Sequence, residues 1–409
     1  MSAIALAIAS LLSLFVTFIP PAHSWVELHS HAFMEHGMGP FFQGKFTGEL
    51  QTTSWKQMLK SNLNEEVLLK SKVRIFVVAL YAHPVLVSKP KALWHAGVRL
   101  AIKRQIQEAR AFVARHPESW VLATNPKQAQ ADFDQGKNLM ILSLEGAHSL
   151  FNRPEDFDKF LGDKGGIAIV TPVHLIDNKY MGASYMRGLR KTFFTKKHFT
   201  LKRKDGAKIN PKGVSKKGHA FVQELLRRKI WIDLSHMSDL AMEEVVPLIV
   251  EYGWPLLHTH TSLRHFYKAE RAISDYQVQL VKEFGGMIGL TPSQEMLTDT
   301  RVDKKLCPEA CACAKDDLVK FSTHFHALRQ KIGEENIAFG SDFNGGIPHL
   351  PESDCAKDAG LKERGLEHFA QMPALIQELK LSSDYGDKVA RRFLQLWEKG
   401  YFAMENSLN

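Results

Sequence analysis

Eight short apolar runs, separated in most cases by stretches with helical periodicity, restrict this chain to very few architectures. The runs are WVELHSH (25–31), RIFVVALY (74–81), LMILSLE (139–145), GIAIVTPVH (166–174), IWIDLSH (230–236), WPLLHTH (254–260), GGMIGLTP (285–292) and NIAFGSDF (336–343). Most are continuous in Leu and β-branched residues rather than alternating, as strands covered on both faces require. Between them, residues 101–116, 216–228, 239–253 and 314–333 repeat apolar side chains at the spacing of an amphipathic helix. Strands alternating with helices predict an α/β fold, a (β/α)8 TIM-like barrel with additional C-terminal helices in residues 370–401. A doubly wound open sheet is the rival.

The first 24 residues stand apart. MSAIALAIASLLSLFVTFIPPAHS has no charged side chain, an apolar run of secretory length, a Pro20-Pro21 stop and small residues before Trp25. We expect residues 1–24 to be a signal peptide and the protein to be exported, periplasmic or secreted. A retained N-terminal membrane anchor is the less favoured reading. Residues 25–409 then form a single domain that includes the helical tail. Export permits disulfides, and at least one is expected among Cys307, Cys311, Cys313 and Cys355, with Cys355 the foremost participant.

The formal net charge of +9 is concentrated in residues 187–217, which hold twelve Lys or Arg and one acid, Asp205. This run follows the fourth strand, so it is expected at the rim of any site there. It reads first as a solvated surface loop; read functionally, it is an electropositive rim that would attract anionic substrates or associate weakly with an anionic envelope surface. Phe193, Phe194 and Phe199 are interleaved, but no nucleic-acid-binding module accompanies them, so nucleic acid is not an expected partner.

A barrel of this kind builds its site from the C-terminal ends of its strands. The predicted strands end in His29 and His31, Glu145, His174, His236, His260 and Asp342. Residues two apart share a strand face, so His29 and His31 can meet one ion. Any one of these residues alone reads as a hydrogen-bonded structural group. Jointly, they put metal-ligand or acid–base side chains on one end of six strands. Imidazoles and carboxylates suit borderline divalent ions, zinc first. Four histidines and a shared carboxylate exceed one tetrahedral site and suit two ions bridged by Glu145, with a water between them.

His258, two residues before His260, could replace it in that role. His324 and His326 lie two apart in a helical stretch, cannot share one face and are read as structural. His148 could line the site or belong to a loop. The Ser-His pairs at 30–31 and 235–236 make no serine triad, because neighbours on a strand point apart and no GxSxG is present.

ILSLEGAHSL, TPVHLIDN, KIWIDLSHMSD, PLLHTHTSLR, FGGMIGLTP and NIAFGSDFNGG resemble the renal or membrane dipeptidase family, peptidase family M19 of the amidohydrolase superfamily. That resemblance implies two zinc ions and hydrolysis of dipeptides with a free C-terminal carboxylate. It makes His29 and His31 the first metal pair, Glu145 the bridge, and His236 and His260 the second pair. It casts His174 as the side chain that contacts substrate and steadies the developing oxyanion. Arg271, in ERAISD, matches the arginine that holds the substrate carboxylate, and Asp342 the aspartate that moves the water proton. The chain departs from the family where HSH stands for the usual HxD and EGAH for EGG. Another binuclear metal hydrolase acting on a lactone, phosphoester or other amide is the alternative, as is a metal-binding barrel without turnover. A homodimer is left open.

Overall fold

The computed structural model describes residues 23–35, 46, 49–50, 61–83, 94–148, 150–185, 202–297, 310–350 and 366–406. The predicted signal peptide up to residue 22, residues 187–201 of the basic run, Cys307 and Cys355 lie outside these, as do the side chains of Cys311 and Cys313.

Eleven strands are described: β1 (Trp25–Ser30), β2 (Val73–Leu80), β3 (Trp120–Leu122), β4 (Asn138–Glu145), β5 (Ile167–Thr171), β6 (Lys202–Lys204), β7 (Ala207–Ile209), β8 (Trp231–Ile232), β9 (Leu256–Thr261), β10 (Gly286–Leu290) and β11 (Ile337–Phe339). The order β8-β5-β4-β2-β1-β11-β10-β9 is parallel throughout, and a bridge between Asp233 and Leu257 joins its two ends. The ring is therefore a TIM-like barrel, and its eight strands are the eight apolar runs. The open-sheet alternative fails on that closing bridge.

Two features were not expected from the sequence. Strand β3 pairs with β4 outside the ring. Within the basic run, β6 and β7 form a hairpin whose turn, Asp205-Gly206, has φ of 51° and 78°. Positive φ at both central residues is the geometry that Asp-Gly turns favour.

Helices cover the outside where the periodicity placed them. Helix Lys216–Arg227 buries Phe221, Val222, Leu225 and Leu226. Ser215, Ser238 and Ser274 cap three successive helices, each accepting a backbone N–H of the first turn. Each such cap is worth about 1 kcal/mol. The last helix, Tyr385–Asn406, packs at the N-terminal end of the barrel. Its Tyr385 hydroxyl donates to the Ile337 carbonyl at 2.8 Å. A Cβ on Gly386 would lie 2.2 Å from the Ser24 carbonyl carbon. The tail thus closes the end opposite the histidines. No helix among the described residues is long and apolar enough to cross a membrane.

Candidate metal centre

Glu145, the last residue of β4, is the hub. Its Oε1 lies 3.3 Å from His29 Nε2, 3.4 Å from His174 Nε2, 3.3 Å from His236 Nε2 and 3.4 Å from His260 Nε2. Its Oε2 lies 3.4 Å from His31 Nε2. Asp342 Oδ1 is 3.2 Å from His31 Nε2 and 4.0 Å from His29 Nε2. Arg271 enters from the side, with Nη2 3.3 Å from His236 Nε2. All eight residues singled out in the sequence therefore meet in one buried cluster. His258 is buried but enters none of the three metal-competent groups that these residues form. His324 is structural: it accepts from the Leu263 N–H and lies 2.8 Å from the Leu297 carbonyl.

Several of these side chains stand just past their strands rather than on them. β5 ends at Thr171, β8 at Ile232 and β11 at Phe339, before His174, His236 and Asp342. His236 and Asp342 take φ of 65° and 59°, in the left-handed region that non-glycine residues avoid. That turn lifts each side chain off the strand direction, and its strain is of the kind stored at functional sites. Gly146, at φ 83°, is required by space as well: a Cβ there would sit 2.8 Å from His148 Cδ2 and 3.0 Å from His174 Cβ. His148 consequently packs against the site's edge.

Burial alone would raise the Glu145 carboxyl. The surrounding imidazoles, His174 and His29 foremost, outweigh it and hold Glu145 well below the usual range. Burial lowers His174 and His236 to about 3 and His260 well below its ordinary value, so these rings are neutral at neutral pH. His31 differs. Burial lowers it, but its contacts with Asp342 and Glu145 lift it to about 10 in the metal-free protein.

Side chains that the sequence reading missed hold the cluster in place. Asp233 Oδ1 accepts the backbone N–H groups of Ser235 and Thr259, and Oδ2 the hydroxyls of Thr171 and Thr259. Burial would raise the Asp233 carboxyl, but these four bonds hold it low. The buried Arg264 pairs with Asp239 at 2.8 and 2.7 Å and donates to the carbonyls of Glu270 and Ala272, the two neighbours of Arg271. Glu270 accepts the backbone N–H groups of Tyr185, Asn210 and Asp239. Tyr81 stacks edge-on against His174, with centroids 4.7 Å apart. Only Tyr81 gave a usable sequence signal, as the last residue of the second apolar run.

The donor set fits a metal. Nitrogen and oxygen donors suit zinc-class ions. His29 Nε2 is buried without a hydrogen-bond partner among the described residues. His236 Nε2 and His260 Nε2 face each other at 2.9 Å, an arrangement of ring nitrogens that a cation would relieve.

The sequence profile of the membrane dipeptidase family, peptidase family M19, matches residues 42–395. Dipeptidase 3 of Macaca fascicularis is 24% identical over 296 residues, 71% of this chain and 49% of that protein. The chain spans about half the length of that relative, and 58%, 33% and 61% of three further curated dipeptidases. A Rhodobacter sphaeroides metallopeptidase, solved with a phosphinate mimic of the dipeptide L-Ala-D-Ala, superimposes with a TM-score of 0.65 at 15% identity, covering 93% of this chain and 99% of that one. The probable dipeptidase PvdM of Pseudomonas aeruginosa gives 0.64 at 16% identity, covering 98% and 100%. At such identities the two structures speak for the shared barrel.

Proposed function

The chain belongs to the membrane dipeptidase family, peptidase family M19, and from that premise we propose that it is a zinc-dependent dipeptidase. Its substrates would be dipeptides with a free C-terminal carboxylate. The observation that carries this reading is the convergence of five imidazoles on Glu145, with a buried guanidinium 3.3 Å from one of them. In it, His29 and His31 would hold one zinc and His236 and His260 a second, with Glu145 the carboxylate available to both. Bound zinc would supply Lewis acidity and an activated water.

The chain's own residues do the rest. Arg271 takes the substrate carboxylate, and its buried setting makes that pairing strong. His174, neutral through burial, donates a ring N–H to the carbonyl oxygen as negative charge develops there. Asp342 accepts the proton of the attacking water and returns it to the leaving amine. The buried walls of the cluster limit the access of bulk water to these side chains.

Export would remove residues 1–24, leaving Trp25 first, which an intact-mass measurement checks. The decisive experiment compares a free dipeptide with its C-terminal amide on zinc-loaded protein. L-Ala-D-Ala is the first dipeptide to try, given the ligand of the solved Rhodobacter relative. Cleavage of the free dipeptide alone supports the proposal. Equal cleavage of both moves the chain to the other amidohydrolase chemistries.

A further inference from the structure

Thr259 sits between the two halves of the cluster. Its hydroxyl oxygen lies 2.7 Å from Asp233 Oδ2, 2.9 Å from His260 Nδ1 and 3.3 Å from His29 Nδ1. A hydroxyl has one proton and two acceptor lone pairs. Asp233 is ionised, with four donors converging on it. The hydroxyl proton therefore goes to the carboxylate, and the lone pairs are left for the two rings. Both rings can then only donate, so both carry their proton on Nδ1. Their Nε2 atoms are consequently left as lone pairs that lie 3.3 and 3.4 Å from Glu145, that of His260 also facing His236 Nε2 at 2.9 Å. The rings lie nearly parallel, with centroids 3.6 Å apart, as two donors to one oxygen would.

We propose that Thr259, locked by Asp233, is the positioning residue that sets the tautomer of both His29 and His260 and so prepares both halves of the metal centre with a single hydroxyl. This rests on the metal-centre reading above. A hydrogen bond to the far nitrogen of a ligand histidine fixes its ring and raises its basicity, and its loss costs about 10- to 100-fold in metal affinity. Here one side chain serves two ligands assigned to different ions, so both affinities fall together.

The test titrates metal-free protein with zinc against a chromophoric chelator for the parent, Thr259→Val and Thr259→Ser. Val matches Thr in shape and lacks the oxygen; Ser keeps it. We expect Thr259→Val to weaken both zinc sites about 10- to 100-fold, and Thr259→Ser to bind within about threefold of the parent. A parent that binds no zinc overturns the metal-centre reading itself. A parent that binds two, with Thr259→Val equally tight, overturns only the role of Thr259, even if that variant melts earlier. Should Thr259→Val fail to fold, nitrogen-15 spectra of histidine-labelled, metal-free parent decide. Protonated Nδ1 on both His29 and His260 supports the proposal, and a protonated Nε2 on either refutes it.

Discussion

Asp342 and Glu145 are both carboxylates in the cluster, yet their surroundings give them different tasks. Among the described residues, Asp342 makes its ion-pair contacts with the two histidines of the β1 end, whereas Glu145 is shared by five rings. Asp342→Asn is therefore expected to keep near-parental zinc content while kcat falls about 10²- to 10⁴-fold, the usual scale for a lost proton-transfer group. Glu145→Gln should lose both metal and turnover. Elemental analysis beside initial rates separates the two, and an Asp342→Asn enzyme with parental kcat would move the base elsewhere. His31 gives a pH signature. Burial lowers it, but Asp342 and Glu145 raise it to about 10 without metal, so below that pH zinc must displace its proton. Zinc affinity should then climb about tenfold per pH unit from pH 6 to 8, as competition between one proton and one metal requires. Stability of the metal-free protein runs the other way. The charged ring's contribution is whole below the ordinary value of 6.5 and is lost as pH rises through about 10. A flat affinity profile would show that His31 is not a ligand. These residues were legible because each is a polar side chain ending an apolar run. Thr259 and Asp233 were not. A threonine between two histidines and an aspartate inside WIDLSH have no periodicity of their own, and their meaning lies in contacts between β8 and β9.

At the level of elements, the strand count and order were legible because burial on both faces writes continuous apolar runs. Strand ends were less so. β8 has only two residues in the ladder, because the Asp233 carboxylate takes over the N–H groups of Ser235 and Thr259 that a longer strand would have paired. β3 is three residues, WVL, too short for any pattern to register. Just past β11, Gly340 comes into close approach with β9 in the frame of the site. A Cβ on Gly340 would stand 2.0 Å from the Thr259 carbonyl oxygen and 2.8 Å from His260 Cα. Backbone on the far side cannot yield as a flexible side chain would. We expect Gly340→Ala to destabilise the fold by about 1–3 kcal/mol, the range for overpacking, and to weaken zinc binding by displacing His260. Chemical denaturation with and without zinc tests both parts. A variant with parental stability and affinity would mean that the two strands are not held in contact.

At the scale of the whole molecule, the proposed substrate carboxylate would meet positive charge of two kinds. Within the chain, Tyr185 precedes the basic run and Asn210 follows the β6–β7 hairpin inside it, and the backbone N–H groups of both residues bind the same Glu270 carboxylate. Glu270 is the neighbour of Arg271. The run carries twelve cationic residues in sequence, and Tyr185 before it and Asn210 within it are tied to the neighbour of the guanidinium that reaches the cluster. The two kinds of positive charge should act at different ranges. Arg271 would meet the substrate carboxylate directly, out of bulk solvent, where salt screens little. Loss of a charged hydrogen bond is worth about 1.5–3 kcal/mol, so Arg271→Ala should raise KM for dipeptides by about 10- to 100-fold at low and high salt alike. Lysines of the basic run would act at longer range through water, where the Debye length is about 10 Å at 0.1 M salt and about 3 Å at 1 M. Reversing Lys196, Lys197 and Lys216 to Glu should therefore lower kcat/KM at low salt and restore the parental value as salt rises, with kcat unchanged. Steady-state kinetics of the two variants across a salt series gives the answer. If the Arg271→Ala defect also fades with salt, Arg271 is part of the diffuse field, and the carboxylate anchor must be sought on another side chain of the site.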